Sequence, residues 1–335
     1  MNVSMWVKAV QIIPRMSKEE WKQLDVIAKW LVMTRFAVMI MTFNSAAVAG
    51  ILAWKNGEFN FLLWLLVTVG LIMAHATNNI LNDVTDYRRG VDTGNYYRSQ
   101  YGPQPLEHGL MTMRGVMTYA AVTGAIALAC GFALVYVRGP LALALLAAGA
   151  FFVVFYTWPL KYIGLGELAV LIVWGPLMVG GGYYCVTGAW SWPVVLASIP
   201  YALGPVTVIF GKHIDKNKDD RAKGIHTLPV IIGEKAARYT VLVLFALEYL
   251  LVFYMILIGF FSPAMLVIVL ALTVLPPILP MFKAPKPDTK PENFPADVWP
   301  LWFSAACFIH TRRYGILFLL GLLIDAALKV TGIWH

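Results

Sequence analysis

Long apolar runs separated by short polar stretches dominate this chain. Nine of them can be read, approximately 28–53, 59–82, 114–137, 140–158, 166–187, 193–212, 237–260, 262–282 and 314–333. An α-helix needs about 20 mainly apolar residues to cross the hydrocarbon of a bilayer. The pattern therefore predicts an all-α polytopic membrane protein, a bundle of nine transmembrane helices forming one domain over residues 1–335.

The polar intervals are uneven. Residues 1–26 begin with an amphipathic segment (Trp6, Val7, Val10, Ile12, Ile13) suited to the membrane interface. Ser17 and Glu20 then make a capping-box pattern ahead of the first run. Three intervals are long: 83–113 and 213–236 are rich in charge, and 283–313 is rich in proline before turning aromatic around Trp299 and Trp302. That last segment reads either as an interfacial flap or as a connector resting on headgroups.

Composition supports the membrane reading. The chain is 59% hydrophobic and 13% charged, against about 25% charged in a soluble domain. Its mean hydropathy is +0.70. The net charge of +8 would suggest nucleic acid in a soluble protein. Here the basic residues lie between apolar runs and report topology instead, so no nucleic-acid partner is expected. With the N-terminus inside, the outer loops and tail carry only Lys55, Arg138 and Lys329. Arg35 falls within the first run, and the other 22 of 26 basic residues face the cytoplasm. An odd number of spans places His335 outside. Cys130, Cys185 and Cys307 are far apart in apolar runs and read as small buried hydrophobes. Residues 1–26 lack the long apolar core of a cleavable signal peptide.

Two carboxylate clusters carry the chemistry. The second run ends in Asn78-Asn79-Ile80-Leu81-Asn82-Asp83-Val84-Thr85-Asp86, followed by Arg88 and Asp92. On a continuing helix Asn78, Asn82 and Asp86 form one stripe. The sixth run ends in Lys212-His213-Ile214-Asp215-Lys216-Asn217-Lys218-Asp219-Asp220-Arg221, with Asp215 and Asp219 again four apart. Both clusters fall at helix C-termini, where the macrodipole is already negative. A divalent cation relieves that repulsion, and Mg²⁺ is commonly held by one or two carboxylates plus substrate phosphates. The pattern points to a metal-bridged diphosphate at the inner mouth of a bundle. A short internal echo pairs the two regions. Asp86, Gly90 and Thr93 recur in register as Asp220, Gly224 and Thr227, each Gly preceded by a basic residue and followed by a β-branched one.

These motifs resemble the UbiA superfamily of intramembrane prenyltransferases. Asn82-Asp83-Val84-Thr85-Asp86 is similar to its NDxxD signature, and Asp215-Lys216-Asn217-Lys218-Asp219 to its DxxxD signature. The run from Asp86 to Thr93 resembles the menaquinone-type (1,4-dihydroxy-2-naphthoate polyprenyltransferase) branch. So does Tyr156-Thr157-x-Pro159-x-Lys161-Tyr162-x-Gly164-Leu165-Gly166-Glu167. Gln104-Pro105-Leu106 stands where the ubiquinone-type branch usually has Arg-Pro-Leu. Gly211-Lys212-His213 stands where menaquinone-type members often have Asn-Asn-x-Arg.

The resemblance implies a polyprenyl diphosphate donor, a small aromatic acceptor and Mg²⁺. Residence in a cytoplasmic membrane follows for a prokaryotic host, and an organelle membrane is the alternative. It implies that Asn82, Asp86, Asp215 and Asp219 hold the metal, with Asp83 and Asp92 as secondary candidates. Lys161, Lys212, Arg88 and Arg221 are candidates for the diphosphate, and Asn78 for substrate. Lys161 and Lys212 also read as topology anchors, as do Arg88 and Arg221; Arg89 and Lys223 are read only so. Tyr156, Trp158 and Tyr162 are candidates for stabilising an allylic cation, or are interfacial anchors. Arg35 either meets an acceptor carboxylate or snorkels. Glu248 and Asp325, deep in the seventh and ninth runs, are expected to be paired locally or protonated. A UbiA-type terpene cyclase would use the same motifs without an acceptor. A cation-coupled transporter would use the carboxylates as ion ligands, usually near the midplane on broken helices.

Overall fold

The computed structural model describes residues 2–91 and 102–334; Asp92, Thr93 and His335 lie outside them. All regular structure among the described residues is helical. The N-terminal segment forms α1 (Val3–Gln11), α2 (Lys18–Lys22) and α3 (Val26–Met33). Then come α4 (Ile40–Lys55), α5 (Phe61–Arg88), α6 (Met113–Arg138), α7 (Pro140–Phe155), α8 (Gly166–Ile172) and α9 (Gly182–Thr187). The remainder is α10 (Trp192–Asp215), α11 (Asn217–Ala222), α12 (Leu228–Ile232), α13 (Glu234–Leu257), α14 (Leu275–Lys283) and α15 (Trp302–Val330).

Seven helices among the described residues are long and apolar enough to cross a membrane, rather than nine. The fourth run forms only the 16-residue α7, and the ninth lies within α15, which begins twelve residues earlier than the pattern suggests. The first run is broken. Arg35 adopts a left-handed backbone conformation (φ 57°, ψ 51°) and separates α3 from the turn leading into α4. The fifth run is continuous from Gly166 to Thr187 but passes through a π-helix at Val173–Gly181 that contains Pro176. A proline there has no N–H to give the α-ladder, and the wider turn accommodates it.

Polar caps start the long helices. The side chains of Asn60, Thr112 and Ser191 accept from the first-turn amides of α5, α6 and α10. The Ser17–Glu20 capping box is formed, although it caps α2, while Asp25 caps α3. The amphipathic start folds back on the bundle. Ala9, Trp21 and Ala28 are buried beside Ile80 of α5 and Ala120 of α6, and Val7, Val10 and Ile12 remain exposed. α5 packs along α6, and α10 along both α13 and α15. The buried aromatics Tyr201, Tyr314, Phe261 and Phe318 occupy the core away from the motifs.

Candidate active site at the motif end of the bundle

α5 runs on to Arg88, six residues past the end of its apolar run, so the first motif stays helical to its last turn. It ends in a Schellman cap: Val91 N–H donates to Asp86 O, and Gly90 N–H to Tyr87 O. α11 ends identically, with Ile225 N–H to Asp220 O and Gly224 N–H to Arg221 O. Both caps need positive φ, and glycine supplies it at Gly90 (66°) and Gly224 (68°). The internal echo is therefore one local structure used twice. The two caps also meet: Val91 and Ile225 are buried together against Tyr162, and Lys223 Nζ donates to Gly90 O at 3.2 Å.

Each capped aspartate is held by a buried lysine. Lys161 Nζ lies 2.8 Å from both Asp86 oxygens, and Tyr162 Oη donates to Asp86 Oδ1 at 3.4 Å. Lys216 Nζ donates to Asp220 Oδ1 at 3.0 Å. Lys212 and Lys216 both lie near enough to act on the charge of Asp86, and Asp220 on that of Lys161. Burial pulls the Lys161 ammonium below the usual lysine range, with the Asp86 carboxylate opposing. Glu167 and His213 are hydrogen-bonded at 2.5 Å behind this cluster. This bond ties α8 to α10.

A cavity of about 950 Å³ opens beside these pairs. It is large for a small-molecule site, where about 300–1,000 Å³ is usual. Asn78, Asn82, Lys212 and Tyr156 line its motif end, and Val67, Leu134, Ala142 and Cys185 its far end. Fifteen residues of α5 separate Asn82 from Val67, about 22 Å at the helical rise. The far walls are apolar, and at Gly149 an added Cβ would meet nothing within 4 Å, so the bore is open there. A second part, lined by Lys8, Arg15, Asp297 and Arg312, lies under the N-terminal segment and the stretch leading into α15. Arg15 Nη2 donates to Trp299 O and joins these two covers.

The sequence candidates divide. Asn82 and Asn78 reach the cavity, where the Asn78 amide also donates to Val153 O of α7 at 2.9 Å. Arg35 lines it too, bonded to Asn79 O at 3.0 Å and paired with Asp83 at 3.4 Å. That pairing turns Asp83 onto Arg35. Tyr156 lines the cavity. Trp158 and Tyr162 instead lie against the Arg89 guanidinium, which is 5.2 and 4.9 Å from their ring centres. Arg88 and Arg221 are exposed.

The second motif departs from the expected stripe. The helix breaks at Lys216, so Asp215 and Asp219 do not share one helix. Asp215 caps α15 with both oxygens, accepting from the N–H groups of Phe303 and Ser304 at 2.9 Å. An anionic cap suits a helix N-terminus. Asp219 is half-buried, close to Lys286. The carboxylate that occupies the place of Asp86 in the second half is Asp220, which the DxxxD spacing passed over and the internal echo had marked.

The donor set suits a hard divalent cation. Asn82 lines the cavity's polar end, and Asp86 follows it one turn on along α5, giving an amide and a carboxylate on one helix face. Among the described residues no three Asp, Glu, His or Cys side chains converge. Mg²⁺ does not need three, because it keeps water and takes phosphate oxygens with one or two carboxylates.

The UbiA prenyltransferase family model matches residues 43–299. A "UbiA prenyltransferase domain-containing protein 1 homolog" of Drosophila melanogaster is 28% identical over 65% of this chain and 63% of its own length. The chain thus spans a little under two thirds of that relative. The 1,4-dihydroxy-2-naphthoate octaprenyltransferase of Bacillus subtilis (strain 168) is 23% identical over 88% of this chain and 91% of its own. In fold the chain is similar to a UbiA homolog from Aeropyrum pernix K1, with TM-score 0.64, 17% identity, and 85% and 98% of the two chains covered. It is also similar to a UbiA homolog from Archaeoglobus fulgidus bound to GPP and Mg²⁺, with TM-score 0.52, 16% identity, and 87% and 99% covered.

Proposed function

The chain belongs to the UbiA prenyltransferase family, and from that premise we propose that it transfers a polyprenyl group from its diphosphate to 1,4-dihydroxy-2-naphthoate. The observation that carries this reading is one cavity joining an apolar bore to a mouth lined by Asn78, Asn82 and Lys212, with the Lys161–Asp86 pair one helical turn beyond Asn82. A polyprenyl tail fits the bore, and its diphosphate then falls at Asn82, Asp86, Lys161 and Lys212. Asn82 and Asp86 would hold Mg²⁺. Bound there, it would act as a Lewis acid that draws charge from the departing diphosphate. Lys161 and Lys212 donate to the phosphate oxygens. Tyr156 faces the allylic carbon and supplies a π-face, worth about 2 kcal/mol when desolvated.

The acceptor enters under the N-terminal cover, and Arg35, Arg15 or Arg312 binds its carboxylate. This second compartment favours transfer over cyclisation, since a cyclase has no acceptor to seat. A transporter is disfavoured because the carboxylates sit at one end of the bundle amid basic residues suited to phosphate, Asp86 and Asp220 being paired with lysines. The motif end faces the cytoplasm, as the distribution of basic residues suggests.

Mass spectrometry of products tests this with purified protein, Mg²⁺, a polyprenyl diphosphate and either dihydroxynaphthoate or hydroxybenzoate. A prenylated, decarboxylated naphthoate is expected. Adduct with hydroxybenzoate alone would replace the acceptor, and diphosphate release without any adduct would favour the cyclase.

A further inference from the structure

The two halves of the mouth share a fold but not a chemistry. Counting back from the paired caps, Asp86 follows Asn82 and Asn78 by four and eight residues, and Asp220 follows Lys216 and Lys212 by the same steps. One half therefore presents amide, amide and carboxylate, and the other ammonium, ammonium and carboxylate. An amide oxygen can ligate a metal. A lysine ammonium has three donors and no lone pair, and it repels a dication. Lys216 is 4% exposed and already engages Asp220, while Lys212 lines the cavity.

We propose that the mouth is divided by half: the α5 stripe takes a single divalent cation, and Lys212 and Lys216 bind the diphosphate directly, without metal. This rests on the prenyl-diphosphate reading above. On ligand entry the Lys216 ammonium moves from the Asp220 carboxylate to a phosphate oxygen, so a charge partner is exchanged rather than lost.

Calorimetry of the full chain in detergent with inorganic pyrophosphate, first in EDTA and then in Mg²⁺, tests the division. Wild type should bind pyrophosphate in EDTA. Lys216→Gln should weaken that binding about tenfold or more, and Lys216→Arg should restore most of it. Asn82→Ala should remove the gain on adding Mg²⁺, whereas Lys216→Gln should keep a gain on adding Mg²⁺ above its weakened metal-free binding. Should Lys216→Gln not fold, Lys212→Gln in the open cavity carries the same expectation. Spin-resonance titration with Mn²⁺ should count one ion per pyrophosphate in wild type and more in Lys216→Asp.

Two Mn²⁺ per pyrophosphate in wild type, no pyrophosphate binding in EDTA, or unchanged metal-free affinity in both glutamine variants would overturn the proposal. Pyrophosphate binding as described, in a protein that prenylates no acceptor, would support the division and retire the transferase reading.

Discussion

Two buried lysine–aspartate pairs lie at opposite ends of the bundle and are built differently. Away from the motifs, Lys55 Nζ bonds Asp325 Oδ2 at 2.7 Å and Phe260 O at 2.5 Å, while Asp325 Oδ1 accepts from Ser262 N–H at 2.6 Å. Backbone groups complete that pair, which rivets α4 and α15 to the turn after α13. At the motif end, Asp86 is held only by the Lys161 and Tyr162 side chains among the contacts described above, beside an open cavity. A charge whose partners are backbone groups has nowhere to go. One whose partner is a flexible lysine can exchange it for a ligand. Asp215, bound by two backbone amides, belongs with the rivets despite its place in a carboxylate motif.

Four substitutions press on that contrast. Asp86→Asn should lower kcat/KM for prenyl transfer about 10³-fold, roughly 4 kcal/mol of transition-state stabilisation, and should also lower Tm, because Lys161 is left buried without its carboxylate. Lys55→Met should act on stability alone. It leaves Asp325 buried and unpaired, at a cost of about 3–5 kcal/mol in stability, and denaturation curves should move while kcat at permissive temperature holds. Asp215→Asn should cost about 1–2 kcal/mol through the weakened cap of α15, read as a lower Tm, with kcat within a few-fold of wild type. A loss as deep as that of Asp86→Asn would return Asp215 to the metal set. Gly149 lines the bore, and a Cβ built there meets nothing within 4 Å. Gly149→Phe should therefore fold and shift the kcat/KM ratio toward shorter donors about tenfold, a scale that a few lost methylene contacts supply.

The membrane character and the paired motifs were legible because each depends on local pattern. Apolar run length marks a span, and the recurrence of Asp, Gly and Thr at one spacing marked the twin caps. The break at Arg35 was not legible. A left-handed arginine within an apolar run has no pattern of its own, and here Asn79 stabilises it by donating to Thr34 O at 2.8 Å. Asp215 and Asp219 satisfied a spacing rule that assumes a continuous helix, and the interruption at Lys216 put them on different elements. Lys55, read as an outer-loop charge, is buried because Asp325 lies across from it, a contact 270 residues apart in sequence. The expectation that Asp325 is paired locally was met by that lysine. Glu248 lies 3.6 Å from His310, also within the core.

The most direct measurement is a structure of the protein with Mg²⁺ and an unreactive prenyl thiodiphosphate. The thiodiphosphate should lie between Asn82 and Lys212, its tail along α5 toward Val67, with Lys161 and Lys216 drawn off their aspartates onto its oxygens. A diphosphate bound elsewhere, or lysines still seated on Asp86 and Asp220 beside a bound donor, would contradict the partner exchange on which this reading of the mouth depends.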